Sequence, residues 1–194
     1  MSEKIVVATG VPGSGKTTVI EGALKKLKAE RITYGILNYG DVMLELMREE
    51  GINDRDEMRK VSTDRYREIQ REAARRIAKE AEQKPIIVDT HCLIKKPEGY
   101  YPGLPRWVLE ELKPESIIIV EATPEEIAGR RAKDITRRRD RELREEIEEH
   151  QLMNRATAAA YAAFSGATVR IIQNREKGLK KAVDEMVEAL RRSP

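Results

Sequence analysis

Short, wholly apolar runs alternate along this chain with long charged stretches in which apolar positions recur every three or four residues. Ile5-Val6-Val7-Ala8, Ile86-Ile87-Val88 and Ile117-Ile118-Ile119-Val120 contain no polar member. That is the pattern of strands buried on both faces, as in a parallel sheet covered by helices. Strands are predicted over 4–9, 31–38, 85–89, 116–121 and 168–173, and helices over 16–28, 41–49, 64–82, 105–112, 124–134, 141–164 and 177–192. Gly51, Pro85, Pro114 and Gly166 punctuate these elements, and Thr123-Pro124 reads as a helix start with proline at its first position. Strands separated by helices define an α/β fold with a parallel sheet. Without an internal repeat, low-complexity tract or linker, residues 1–194 read as one domain. Two segments look inserted between sheet elements, about 40–65 and about 130–140. In an α/β fold such inserted segments are natural places for a ligand-binding region and a closing lid.

The first apolar run leads into Gly10-Val11-Pro12-Gly13-Ser14-Gly15-Lys16-Thr17, which satisfies the phosphate-loop pattern GxxxxGK[ST], and a predicted helix follows. The glycines let backbone N–H groups turn inward as an anion nest, and the helix adds its positive N-terminal end. Lys16 is the point charge for the outer phosphates, Thr17 offers a hydroxyl to a magnesium ion, and Thr18 supports an inner phosphate. The alternative, an ordinary glycine-rich turn, fits neither the strand before nor the helix after. The expected ligand is a nucleoside triphosphate. Asp89 ends the third predicted strand, where ligands of open α/β sheets bind, and is the expected second partner of the magnesium; its other reading is a helix cap or turn residue. His91 and Cys92 follow, but two histidines and one cysteine have no zinc spacing. His91 is therefore read as a positioning group near the acceptor and Cys92 as an inert buried residue.

Charge changes the picture locally rather than globally. Of 194 residues 37% are charged, yet the net charge is only +3, which does not favour a nucleic-acid or anionic-membrane partner. The exception is the stretch 130–141, with Arg130, Arg131, Lys133, Arg137, Arg138, Arg139 and Arg141. An isolated run of this kind is usually a solvated face. In a nucleotide-binding fold, arginines are also what let the phosphates of two nucleotides approach each other. The acidic residues that follow (Glu142, Glu145, Glu146, Glu148, Glu149) oppose a nucleic-acid reading. Ala158, Ala159, Ala160, Ala162 and Ala163 suit close helix packing in the core or between subunits, and Trp107, the sole tryptophan, is read as a packing anchor. Arg155 has two readings, a group on the lid side and a surface ion pair. The single cysteine permits no intrachain disulfide and fits a reducing compartment; acidic Glu3 before a short apolar run argues against a signal peptide, and no run is long enough to cross a bilayer. A cytoplasmic protein is expected.

In its ordered blocks the chain resembles the archaeal-type adenylate kinases. The blocks are Gly-Val-Pro-Gly-Ser-Gly-Lys-Thr-Thr (10–18), Leu-Asn-Tyr-Gly-Asp-Val-Met (37–43), Arg-Asp-Glu-Met-Arg-Lys (55–60) and Val-Asp-Thr-His-Cys-Leu-Ile-Lys (88–95). They continue with Gly-Tyr-Tyr-Pro-Gly-Leu-Pro (99–105), Arg-Arg-Arg-Asp (137–140), Glu-His-Gln-Leu-Met-Asn-Arg (149–155) and Gly-Ala-Thr-Val (166–169). The resemblance implies a three-layer P-loop nucleoside kinase fold with a five-stranded parallel sheet. It also implies reversible Mg2+-dependent phosphoryl transfer from ATP to AMP, giving two ADP, and a cytoplasmic homotrimer. On it, Tyr39, Gly40 and Asp41 open the AMP-side helix, with Arg59 and Arg55 toward the AMP phosphate and His91 nearby. Arg130 or Arg131 would lie over the ATP adenine or phosphates, and Arg137, Arg138 and Arg139 would belong to the short lid. The bacterial-type pattern has an arginine three residues after the aspartate of its Thr-Gly-Asp, where this chain has Leu44, and Asp-Gly-Phe-Pro-Arg where this chain has Asp89-Thr90-His91-Cys92-Leu93. From the residues alone, a kinase for another monophosphate or small acceptor such as shikimate, and a P-loop ATPase acting as an assembly or regulatory switch, remain alternatives.

Overall fold

The apolar runs become central strands because helices can cover both their faces. The computed structural model describes residues 4–58, 61–96, 99–133 and 144–192. Its first half runs β1 (Ile5–Thr9), α1 (Lys16–Ala29), β2 (Gly35–Asn38), α2 (Tyr39–Arg48), α3 (Arg55–Met58), α4 (Thr63–Ala81) and β3 (Ile86–Asp89). The second half runs β4 (Leu93–Lys96), β5 (Gly99–Pro102), α5 (Arg106–Leu112), β6 (Ser116–Glu121), α6 (Pro124–Lys133), α7 (Arg144–Ser165), β7 (Thr168–Gln173) and α8 (Leu179–Arg192). Five strands form one parallel sheet in the order β2-β3-β1-β6-β7.

Successive residues of the central strands enter opposite layers, as the period of two requires. Ile5, Val7, Ile86, Val88, Ile117 and Ile119 pack under α2, α4, α5 and α7, whereas Val6, Ala8, Ile87, Ile118 and Val120 pack under α1 and α8. Each such valine or isoleucine contributes roughly 1.5–3 kcal/mol by leaving water. The result is the expected three-layer α/β fold. β1 and β3 are neighbours in register Ile5 to Ile86, but the chain leaves β1 toward the α1 layer and β3 toward the α5 layer. The divergence opens a crevice at their carboxyl ends, where ligands of such sheets bind.

Three local differences from the predicted elements have identifiable causes. The strand expected over 31–38 begins only at Gly35. Arg31 stands in the left-handed region at φ 62, its amide donates to the Lys28 carbonyl (3.1 Å), and that of Ile32 donates to Leu27 (2.9 Å), closing the end of α1. The expected loop after β3 instead folds into the antiparallel β4–β5 hairpin, whose Lys-rich, Pro-flanked sequence lacks the alternation that marks a strand. The final helix starts at Leu179 rather than 177, because Lys177 is held at φ 59.

Candidate functional site

The crevice is a cavity of about 640 Å³ lined by the loop after β1, by Asp89 and His91 after β3, by Asn38 and Asp41 at the start of α2, and by Arg130 of α6. The loop's course follows from its composition. Gly15 caps α1 at φ 83, and a Cβ there would collide with the Asn174 side-chain amide, so only glycine fits. The first turn of α1 holds no acidic residue while Lys26 and Lys28 occupy the last, which leaves its positive end for an anion. Ser14 N–H donates to the Val11 carbonyl (3.1 Å) and closes the turn. The Ser14 hydroxyl is buried and has no hydrogen-bond partner among the described residues, and Thr17 and Thr18 are exposed at the mouth.

Lys16 projects from the loop to the end of β3, where its Nζ donates to the Thr90 carbonyl (2.6 Å) and ion-pairs with Asp89. Burial lowers the Lys16 pKa, and the Asp89 carboxylate opposes that shift. Asn38 Nδ2 donates to the other Asp89 oxygen (3.3 Å), and its Oδ1 accepts from the Asp41 amide (3.2 Å) as the N-cap of α2. One amide side chain therefore bridges the phosphate-loop lysine's partner and the helix read as acceptor-binding. His91 Nδ1 lies 3.1 Å from the Gly10 carbonyl, which assigns the proton to Nδ1. Burial, reinforced by Lys16, lowers the His91 pKa from its ordinary 6.5 to about 4, so the ring is neutral at pH 7. Burial pushes the Cys92 thiol up to about 11, and Cys92 is wholly buried, its amide donating to Thr9 Oγ1 (2.8 Å). Its chemistry is inert, as read from sequence.

The predicted residues divide by where the fold puts them. Gly10, Val11, Pro12, Gly13, Ser14, Gly15, Lys16, Thr17 and Thr18 share one wall, and Asp41, Asp89, His91 and Arg130 face them or flank them. Arg130 donates to the carbonyls of Ser14 (2.9 Å), Gly13 (3.4 Å) and Asn174 (2.9 Å), and Arg131 to that of Pro12 (2.8 Å). Both arginines thus hold the back of the loop in this state. Tyr39 points away from the cavity into the core, its hydroxyl bonded to the Gln70 carbonyl (2.8 Å). Gly40 lies in the first turn of α2 and Arg55 begins α3. Arg59, Arg137, Arg138 and Arg139 lie outside the described residues.

Two residues at the site were not singled out in the sequence: Asn38, which lies inside the block 37–43, and Asn174. Arg155 proves to pair with Glu121, which is 2% exposed at the end of β6, through two bonds of 2.7 and 2.6 Å. Trp107 does anchor packing, with its Nε1 donating to Gln70 Oε1 (3.2 Å) and the Arg67 guanidinium over its ring. It also lines a second cavity of about 340 Å³ between α4, the hairpin and α5, together with Tyr66, Gln70 and Tyr101.

Thr17 and Asp89 supply hard oxygen donors to one cavity, which suits a magnesium ion carried in with nucleotide phosphates. Among the described residues no group of three or more His, Cys, Asp or Glu side chains is gathered to hold a metal, and no helix is long and apolar enough to cross a membrane.

Comparison with known proteins bears on the same site. A family model described as an AAA domain matches residues 9–148, which include the phosphate loop and α6. The solved structure of a sugar kinase from a Janibacter species superposes with a TM-score of 0.51 at 20% identity, covering 96% of this chain and 91% of its own, which speaks for the fold alone. An adenylate kinase of Methanopyrus kandleri is 58% identical over 190 residues, 96% of this chain and 97% of the relative. Those of Methanocaldococcus jannaschii and Methanothermobacter thermautotrophicus are each 51% identical, over 98% and 96% of this chain and 100% and 99% of theirs. Matches of that extent run through both arms of the crevice as well as the loop that so many nucleotide-binding proteins share, and by them this chain belongs to the adenylate kinase family.

Proposed function

We infer that the protein transfers a phosphoryl group reversibly between ATP and AMP, giving two ADP. The observation that carries this reading is the Lys16–Asp89–Asn38 chain of contacts, which joins the phosphate loop to the first turn of α2 across one cavity. A switch-type ATPase needs only the first of these walls; an acceptor kinase needs both. No covalent intermediate is required, because alignment and charge neutralisation suffice for this chemistry.

The residues take the following roles. Gly10, Val11, Pro12, Gly13, Ser14, Gly15 and Thr18 cradle the donor phosphates, and Lys16 exchanges Asp89 for the outer ones. Thr17 and Asp89 would hold magnesium, which would supply positive charge to neutralise the outer phosphates. Arg130 and Arg131, at the base of the segment 130–140, turn toward the donor, and Arg137, Arg138 and Arg139 cover the transferring group and exclude water. Gly40, Asp41, Arg55, Arg59 and His91 serve the acceptor side, within or beside the segment 40–65, while the buried Tyr39 sets the angle of α2. We assign the acceptor base to the second cavity, since Val61, at the end of that segment, and Gln70, which holds Tyr39, both line it. AMP should therefore alter the fluorescence of Trp107 far more than ATP does, and an equal response to both would refute that placement.

A screen of monophosphates with ATP and magnesium tests the reading. AMP should give kcat/KM at least about tenfold above UMP, CMP or GMP, roughly 1.4 kcal/mol. Preference for a pyrimidine monophosphate, or ATP hydrolysis without an acceptor, would overturn it. We further assign the protein to the cytoplasm as a homo-oligomer, a trimer by family resemblance. Supporting this, Leu152, Met153 and Phe164 of α7 and Val169 and Ile171 of β7 are exposed apolar side chains. Light scattering that finds a monomer at micromolar concentration would refute the assembly.

A further inference from the structure

The phosphate loop is held from behind by groups that never face the cavity together. Asn174 follows β7 directly, is 5% exposed, and donates from Nδ2 to the Ser14 carbonyl (2.9 Å). Its own amide donates to the Glu121 carbonyl (2.7 Å), so it is anchored to the end of β6. Arg130 shares the Ser14 carbonyl at 2.9 Å and also binds the Asn174 carbonyl. In a trans peptide the C=O and N–H point in opposite directions. A donor that fixes Ser14 O on the outer side therefore aims the Gly15 N–H at the mouth of the loop.

Asn174 and Arg130 differ in what happens when phosphates arrive. Arg130 lines the cavity, carries a charge, and forms stronger bonds to phosphate than to a neutral carbonyl. Asn174 is uncharged, buried and anchored through its own backbone. We propose that Asn174 is a positioning residue for the donor site, the group that keeps the Gly15 amide aimed at the ATP phosphates while Arg130 is free to turn to them. This rests on the donor reading given above.

The test compares Asn174→Ala and Asn174→Ser with the unaltered chain, measuring Mg-ATP and AMP affinities by calorimetry and both KM values in turnover. Loss of one hydrogen bond that orients a phosphate-binding amide should weaken ATP about tenfold. AMP affinity should stay within about twofold, because the hydrogen bonds of Asn174 run to Ser14, Arg130 and Glu121. A general structural defect would not split the two substrates in this way. Equal weakening of both, or unchanged ATP affinity in a folded variant, would overturn the proposal. So would failure of both variants to fold, which would make Asn174 a structural residue only. Failure of the unaltered chain to bind ATP would overturn the donor reading itself, and is seen before any variant is made.

Discussion

Replacing Lys16 with alanine separates the chemistry of this site from its stability. In the folded chain the ammonium is mostly buried, bonded to the Thr90 carbonyl at 2.6 Å and paired with Asp89. Two effects on folding oppose each other. Removing a buried cation relieves its desolvation, while Asp89 loses its partner; breaking a fully buried pair costs about 3–5 kcal/mol. Asp89 is not fully buried, however. It borders an open cavity and keeps its bond from Asn38. A stability loss of no more than about 2 kcal/mol is therefore expected, and the variant should fold. Catalysis has no such compensation. On the proposed function the cation acts on charge that moves between donor and acceptor, and losing one preorganised electrostatic contact of this type costs about 2.7–4 kcal/mol of barrier, or about 10²–10³ in kcat. Turnover of AMP with ATP, followed by a coupled assay for ADP, gives the kinetic number, and urea unfolding gives the stability. Turnover within about tenfold of the unaltered protein, in a variant that unfolds cooperatively, would refute the role of this loop as the donor site.

Other perturbations probe groups around the loop. His91 is neutral when folded because burial, then Lys16, lowers its pKa to about 4, so the unfolded chain binds the extra proton between pH 6.5 and 4. Stability should fall as pH drops through that window, by up to about 3 kcal/mol, and His91→Asn, which can still donate to Gly10, should flatten the slope in urea titrations; identical slopes would refute it. Arg155→Ala leaves the Glu121 carboxylate, among the described residues, with the Gln173 amide (2.9 Å) alone, and should cost about 2 kcal/mol. That is less than for a fully buried pair because Arg155 is 49% exposed, and an unchanged urea midpoint would count against it. Changing Arg137, Arg138 and Arg139 together to glutamine should weaken an inhibitor that joins two adenosines through five phosphates far more than it weakens adenosine. Equal loss for both, or loss for neither, would remove these arginines from the lid.

What could be read before folding was local. The phosphate loop is one contiguous segment whose glycines, lysine and threonine do their work within a single turn, and the three central strands declare burial on both faces by composition alone. That Asp89 would border the crevice was legible because a strand end in such a sheet has a known geometric meaning. Only the tertiary structure could select the partners. Lys16 meets Thr90 across 74 positions, Asn38 meets Asp89 across 51, and Asn174 meets Ser14 across 160. A single amide side chain has no periodicity, so its neighbours exist only once the parallel sheet brings the carboxyl ends of β1, β2, β3 and β7 to the same side of the fold. The hairpin β4–β5 and the early end of the 31–38 run were decided in the same way. There, packing and the closure of α1 outweighed a weak local preference, as tertiary contacts do whenever the chain's own signal is worth less than the surface it can bury.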